Sequence, residues 1–186
     1  LYSVGELHHN EDMARTLERI GAEGADSFYT GTLGSEIATD LKANGSFVTA
    51  EDLAEYQVRV GEPVMGTYRG FEVRSNPPPG SGVTLIQMLQ ILQHFDVAER
   101  GHGSAHHLDL VARAMAAAHA DRNQFLADPD FTPVPIDLLT SQDRAEMWAQ
   151  RIKAGEFLKD GKEEPPSCTT HFSIADQEGN LSLIHI

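Results

Sequence analysis

The longest regular pattern in this sequence is a helical repeat of apolar residues that begins at Ser104 and ends at Asp128-Pro129. The residues along one face of this repeat are Leu108, Val111, Met115, Ala118, Arg122 and Phe125. Such spacing predicts an amphipathic helix, and proline ends it because it disfavours a helical conformation in the residue before it. The alanines within the repeat allow a neighbouring element to approach closely. A mainly helical organisation with short extended inserts is therefore predicted.

Shorter patterns predict the remaining elements. Apolar residues at helical spacing, bounded by glycine, asparagine or serine, predict helices at residues 11–22, 35–43, 83–95 and 141–153. Thr49 with Asp52 resembles a capping box, which predicts that a short helix begins there. In the helix at residues 83–95, the predicted apolar stripe contains Leu85, Leu89 and Leu92 and is widened by Ile86, Met88 and Ile91, which predicts a buried helix. Ser81 is its predicted N-cap. Alternating residues at 58–60 and 67–74 predict two strands.

The segment most indicative of chemistry runs from Cys168 through Thr169 and Thr170 to Asn180. Residues 169–176 alternate and are rich in β-formers, with Phe172 and Ile174 on one face, so they predict a strand. Residues 176–180 predict a hairpin loop in which Gly179 supplies a positive φ. The predicted fold class is therefore α+β, mainly helical with a C-terminal β-hairpin.

Thr169 could become a stronger nucleophile than an ordinary threonine. If the bond between Cys168 and Thr169 were cleaved, the hydroxyl and a free α-amino group would share one residue, and the amine could serve as the base for its own nucleophile. The ordinary pKa of an α-amino group is about 8, so a substantial unprotonated fraction is available near neutrality. A Thr-Thr pair in a strand also occurs as ordinary sheet packing, so these residues alone leave both alternatives open.

Nearly the whole sequence resembles the γ-glutamyltransferases, also called glutathione hydrolases, which are N-terminal-nucleophile enzymes. The similar blocks follow the family's order at about its spacing. They are residues 5–7, 16–17 with 20, 24–31, 44–56 and 68–70, then Ser75-Asn76-Pro77-Pro78-Pro79-Gly80-Ser81-Gly82, Ala120-Asp121-Arg122, Asp128-Pro129-Asp130-Phe131 and Thr169-Thr170-His171. In that family, the Thr-Thr-His block marks the junction between the large and small subunits.

The resemblance implies a division of the chain at this junction. Residues 1–168 would form the C-terminal part of the large subunit and residues 169–186 the start of the small subunit, both made from one precursor. The implied complete fold is an αββα sandwich, of which this chain would be a fragment. Self-cleavage at the processing junction, Cys168 and Thr169, would make Thr169 the catalytic nucleophile.

The reaction and its setting are also implied by the resemblance. Thr169 would attack the γ-glutamyl amide of glutathione or a related compound, and water or an amino-acid or peptide acceptor would open the resulting ester. No cofactor and no metal are implied, and the location would be periplasmic or extracellular. The arginine that receives the substrate carboxylate and the oxyanion donors would lie outside this chain, so the chain alone is expected to be inactive.

Two other functions fit the same residues. A related acylase acting on a glutaryl or cephalosporin side chain would carry the same motifs, and an unprocessed chain could instead be a non-catalytic helical interaction module. A catalytic role for Cys168 is disfavoured because no partner base is identified. Residues 181–186 depart from the family's usual second strand, which indicates either divergence or a truncated reading frame.

The charge balance limits the classes of partner. Fourteen Lys plus Arg residues against 28 Asp plus Glu residues give a formal net charge of -14, which argues against binding to the phosphate backbone of nucleic acids. No apolar stretch approaches the length of a membrane span. The single cysteine excludes an intrachain disulfide.

Three further clusters favour structural roles. His102, His106 and His107 lie together, but adjacent histidines point apart on a helix and no carboxylate or thiol ligand stands at the usual spacing, so no metal site is predicted. The proline- and glycine-rich residues 77–82 favour an architectural bend over an anion site. Asp121, Arg122 and Asp128 favour a charge network over a catalytic acid and base. Residues 155–167 predict an exposed linker.

Overall fold

The computed structural model describes residues 3–156 and 171–185. The chain divides into two compact units, Leu1–Gly61 and Glu62–Ile186. Helices predominate in the described ranges and two short antiparallel sheets accompany them, as the α+β prediction expected. Within those ranges, no helix combines the length and the hydropathy that a membrane crossing requires.

The first unit is helical. Its helices are α1 (Glu11–Glu23), α2 (Asp26–Tyr29), α3 (Thr32–Ala43) and α4 (Ala50–Glu55). The predicted capping box is present at α4, where the Thr49 hydroxyl accepts from the Asp52 amide and the Asp52 carboxylate accepts from the Thr49 amide. Helix α3 begins at Thr32 rather than at Ser35, and α2 was not predicted because it is too short for helical periodicity to register.

The second unit contains a helical core and both sheets. Its elements are β1 (Val64–Tyr68), β2 (Phe71–Ser75), α5 (Gly82–Leu92), α6 (Ala105–Phe125), α7 (Ile136–Leu139), α8 (Gln142–Lys153), β3 (His171–Ala175) and β4 (Leu181–His185). Helices α5, α6 and α8 pack against one another. The apolar residues buried between them are Ile91, Leu92, Leu110, Ala114, Ala117, Ala145, Trp148 and Ile152.

Most of the predicted apolar face of the long helix is not its buried face, since Ala118 alone of those six residues is buried. Leu108 is 57% exposed and Met115 is 43% exposed, whereas the buried residues of α6 are Leu110, Ala114, Ala117, Ala118 and Asp121. In α5, Leu85 is 44% exposed, but Ile86, Ile91 and Leu92 of the predicted widened stripe are buried. Small side chains decide which face of α6 is buried, because alanines permit the close helix contacts of the core and leave larger residues on the outer face.

The strand predictions also need correction. Residues 58–60 form no strand, and residues 67–74 do not form a single strand because the chain reverses at Arg69 and Gly70. Both turn residues have positive φ values, 49° and 84°, which is the requirement of the type I′ turn in a two-residue hairpin. Strands β1 and β2 therefore pair antiparallel, with Tyr68 opposite Phe71.

Strand β1 packs on α5 through a glycine. A Cβ atom added at Gly66 would lie 2.3 Å from Cγ2 of Ile86, which is 1% exposed. We expect Gly66→Ala to destabilise the second unit by about 1–3 kcal/mol, because a buried isoleucine has little room to move. Gly61→Ala is the control, since nothing lies within 4 Å of its added Cβ. Urea unfolding of both variants measures the difference, and an equal effect of the two substitutions would contradict the packing argument.

Candidate active site

The predicted nucleophile lies just before the C-terminal hairpin. Thr169, together with Cys168 and Thr170, lies outside the described residues, and so does most of the predicted linker at 155–167. The description resumes at His171, where β3 begins and pairs antiparallel with β4. The predicted hairpin is confirmed from that point, and Thr169 and Thr170 are the two residues before β3 in the sequence.

A single carboxylate organises the loop that closes this hairpin. Oδ1 of Asp176 accepts hydrogen bonds from the amides of Glu178 at 3.0 Å and Asn180 at 2.8 Å, and its Oδ2 accepts one from the Asn180 side chain at 2.6 Å. Gly179 has a φ of 88°, as predicted. The bonds from Asn180, followed by those from Glu178, hold the pKa of Asp176 below its ordinary value. The ionised carboxylate thereby fixes the turn that follows β3.

The polar centre of the second unit is Asp121, which is 1% exposed. Its Oδ2 accepts from Nε2 of Gln87 at 2.5 Å, from Nε1 of Trp148 at 2.8 Å and from Nε of Arg144 at 2.9 Å. Its Oδ1 accepts from a second nitrogen of Arg144 at 2.5 Å. Asp121 therefore joins α5, α6 and α8, and we call these four residues the Asp121 cluster.

The electrostatics of this cluster favour a permanent negative charge on Asp121. Burial acts to raise the pKa of Asp121, but hydrogen bonds from Arg144, Trp148 and Gln87, with the positive charge of Arg144, outweigh burial and leave the pKa below its ordinary value. The same pairing raises the pKa of Arg144. A carboxylate that stays ionised and has four donors is a structural anchor rather than a proton-transfer group.

The charge network around Asp121 contains different residues from those predicted. Asp121 binds Arg144 of α8, whereas Arg122 donates to the neighbouring Asn123 and Asp128 accepts from the amide of Asp130. Sequence reasoning missed Gln87, Arg144 and Trp148, because no spacing rule connects residues on three different helices. The only available signal was a carboxylate at a position that helical periodicity places beside buried alanines.

The histidine cluster and the proline-rich bend were also assigned structural roles. The rings of His102 and His107 lie 5.4 Å apart at a 51° tilt. In the part of the chain that the structure describes, no three His, Cys, Asp or Glu side chains converge as a metal site would require. Ser81 is the N-cap of α5, but its side chain makes no capping hydrogen bond, which corrects the prediction. A Cβ at Gly82 would lie 2.2 Å from the carbonyl oxygen of Asn76, so the tight bend itself requires glycine.

Comparison with known proteins decides the family. Residues 1–184 match the family model described as Gamma-glutamyltranspeptidase. This chain belongs to the γ-glutamyltranspeptidase family. The match covers both compact units and extends across the Cys168-Thr169 junction. The resemblance seen in the sequence blocks is therefore confirmed, and the chain is part of an enzyme family.

Relatives and solved structures support the same assignment. The glutathione hydrolase proenzyme of Escherichia coli strain K12 is 40% identical over 188 residues, covering 97% of this chain and 32% of the relative. The acylase ACY 1 proenzyme of Pseudomonas sp. strain SE83 is 36% identical over 183 residues, covering 91% of this chain and 31% of the relative. The crystal structure of Helicobacter pylori γ-glutamyltranspeptidase is 36% identical with a TM-score of 0.71, covering 87% of this chain and 45% of that one.

These comparisons confirm the α+β class and also limit the conclusions. The chain spans about a third of the length of the curated relatives that it matches. Both the glutathione hydrolase and the acylase are named as proenzymes.

Proposed function

We propose that the protein carrying this chain transfers or hydrolyses γ-glutamyl groups, with Thr169 as the nucleophile. The observation that carries the proposal is the family match across residues 1–184, which includes the Thr169-Thr170-His171 block. The hairpin that begins at His171 supports it, because the strand and turn predicted after the Thr-Thr pair are present. The naming of relatives as proenzymes supports a processed precursor.

Processing is proposed to occur between Cys168 and Thr169. The hydroxyl oxygen of Thr169 attacks the carbonyl carbon of Cys168, the peptide C–N bond breaks, and the amine takes up the proton, which leaves an ester. Water then opens the ester and releases the carboxylate of Cys168, so that Thr169 has a free amine and a free hydroxyl. Residues 1–168 then belong to the large subunit and residues 169–186 begin the small subunit.

Turnover repeats this chemistry on a small molecule. With its own amine as base, Thr169 attacks the γ-glutamyl amide of glutathione or a related compound, and the amine product leaves with a proton. The γ-glutamyl ester is opened by water in hydrolysis, or by an amino acid or peptide in transfer. We place the protein in the periplasm or outside the cell, in keeping with the family. We expect the 186-residue chain alone to be inactive.

The proposal is tested by covalent labelling of the full-length protein. A glutamine-like diazoketone or chloroketone should form one adduct, which peptide mapping places on Thr169, because the substrate pocket presents the electrophile to an activated hydroxyl. Excess glutathione should protect Thr169 by occupying the same pocket. Thr169→Ser is the matched control and should retain some labelling, whereas Thr169→Ala should retain none.

Other labelling outcomes contradict the proposal in different ways. An adduct on Cys168 or on a histidine that glutathione does not suppress would indicate ordinary surface reactivity. A folded protein without any adduct would favour the non-catalytic interaction module. Both outcomes are distinguished from misfolding by the melting curve of the same sample.

A second candidate function is that of an acylase acting on a glutaryl or cephalosporin side chain, which the 36% identity to an acylase proenzyme supports. A glutaryl group lacks the α-amino group of a γ-glutamyl group. Comparison of kcat/KM for a γ-glutamyl anilide and a glutaryl anilide therefore separates the two functions. A preference for the glutaryl compound would move the assignment to the acylase.

A further inference from the structure

A cavity of about 550 Å³ in the second unit collects positive charge on a strongly acidic protein. It lies where the loop after α5 meets α6 and the end of α8. Its wall includes three basic side chains, Arg100, Arg113 and Lys153. A net charge of -14 repels anions from most of the surface. A local group of cations is therefore the feature that could attract an anion.

Two of these cations flank one aromatic ring. Cζ of Arg100 lies 5.9 Å and Nζ of Lys153 lies 5.3 Å from the centroid of Phe95. Among the described residues, neither cation has a carboxylate partner within 4.0 Å. Both charges therefore remain available for an anion in the cavity, and the ring limits where they can lie.

The two carboxylates of the wall are already engaged. Asp109 accepts two hydrogen bonds from Nε of Arg113, at 2.9 and 3.1 Å. Oδ1 of Asp96 accepts from the amides of Ala98 and Glu99, both at 3.1 Å. Three cations therefore face two carboxylates, and these five side chains have a net positive charge of one.

His94 supplies an observation independent of charge. His94 lines the cavity, and its Nε2 is buried without a hydrogen-bond partner among the described residues. A buried polar atom without a partner is costly, and a bound ligand is one of the few things that satisfies it.

We propose that this cavity binds a small multivalent oxyanion through Arg100, Lys153 and His94. Phosphate and di- or tricarboxylates share the required chemistry, which is several oxygen acceptors on a compact charged group. Binding at this site does not depend on γ-glutamyl chemistry.

Calorimetric titration of the full-length protein with inorganic phosphate and with citrate tests the proposal at low ionic strength. We expect saturable binding of at least one of them with a Kd below about 10 mM. Arg100→Gln combined with Lys153→Gln should weaken that Kd about tenfold or more, and His94→Phe should also weaken it. Binding of phosphate alone or citrate alone identifies the class of anion.

Arg74→Gln is the matched control, because it removes one cation from an exposed pair with Glu72 in the same unit. It should leave the Kd within about twofold. Equal weakening by Arg74→Gln and by the cavity variants would show non-specific charge attraction and overturn the proposal, as would the absence of saturable binding. If the melting curve shows that the double variant is not folded normally, the single variants Arg100→Gln and Lys153→Gln replace it in the titration. Thr169→Ala should bind the anion normally, which separates this test from that of the proposed reaction.

Discussion

Thr169→Ala is expected to leave the full-length protein as a single uncleaved chain without γ-glutamyl transfer or hydrolysis. The substitution removes the hydroxyl that attacks the carbonyl of Cys168 and the hydroxyl that later attacks the substrate, so both reactions lose their nucleophile. Intact-mass analysis should show two fragments from the unsubstituted protein, divided between Cys168 and Thr169, and one species from the variant. Activity on a γ-glutamyl anilide should fall below detection.

Two neighbouring substitutions make this result specific. Thr169→Ser keeps both the hydroxyl and, after cleavage, the free amine, so measurable processing should remain. Thr170→Ala changes the adjacent hydroxyl and should slow processing less than Thr169→Ala does. Cleavage at the same bond in Thr169→Ala would show that another group performs the attack, and a wild-type protein that is active without being cleaved would remove the N-terminal nucleophile altogether.

Asp121→Ala is expected to destabilise the second unit by about 3–5 kcal/mol, because it leaves Arg144 without its partner in a site where Gln87 and Trp148 also lose their acceptor. Domains commonly have only about 5–15 kcal/mol of total stability, so this is a large fraction. Trp148 is the single tryptophan of the chain and donates directly to Asp121. Its fluorescence therefore follows unfolding at the affected position.

Asp109→Asn is the matched control on the same helix. Asp109 also pairs with an arginine, but its side chain is 59% exposed, so its loss should cost about 0.3–0.5 kcal/mol. Similar free energies of unfolding for the two variants would contradict the view that burial makes the Asp121 cluster important. Asp121→Asn tests the charge itself, because it preserves the size of the side chain.

The difference in the free energy of unfolding between the unsubstituted protein and Asp121→Asn should change with pH in one direction. The pKa of Asp121 is lowered in the folded state, so its charge contributes stability that is fully present above the ordinary aspartate pKa of about 3.9. That contribution is lost as the pH falls through the lower, folded-state pKa. The stability gap between the unsubstituted protein and Asp121→Asn should therefore be constant near neutrality and narrow below about pH 4. A gap that widens in acid would show that the carboxyl is protonated in the folded protein.

Local sequence signals predicted the elements that depend on neighbouring residues. The capping box at Thr49 and Asp52, the helix starts at Ser104 and Ser141 and the turn at Gly179 each depend on contacts within a few positions, and each is present. The turn at Arg69 and Gly70 was missed, because a positive φ at arginine is uncommon and alternation continued through it.

The sequence by itself determined the mainly helical α+β class, the C-terminal hairpin and the similarity to the γ-glutamyltransferases. Caps, periodicity and motifs each depend on residues that lie close together in the sequence, so they can be recognised without the tertiary structure. Only the tertiary structure decided which face of α6 is buried and which partner neutralises Asp121. Those choices depend on three helices meeting at the same place, where alanines permit close packing and a buried carboxylate must find donors on α5 and α8. No spacing within one helix contains that information.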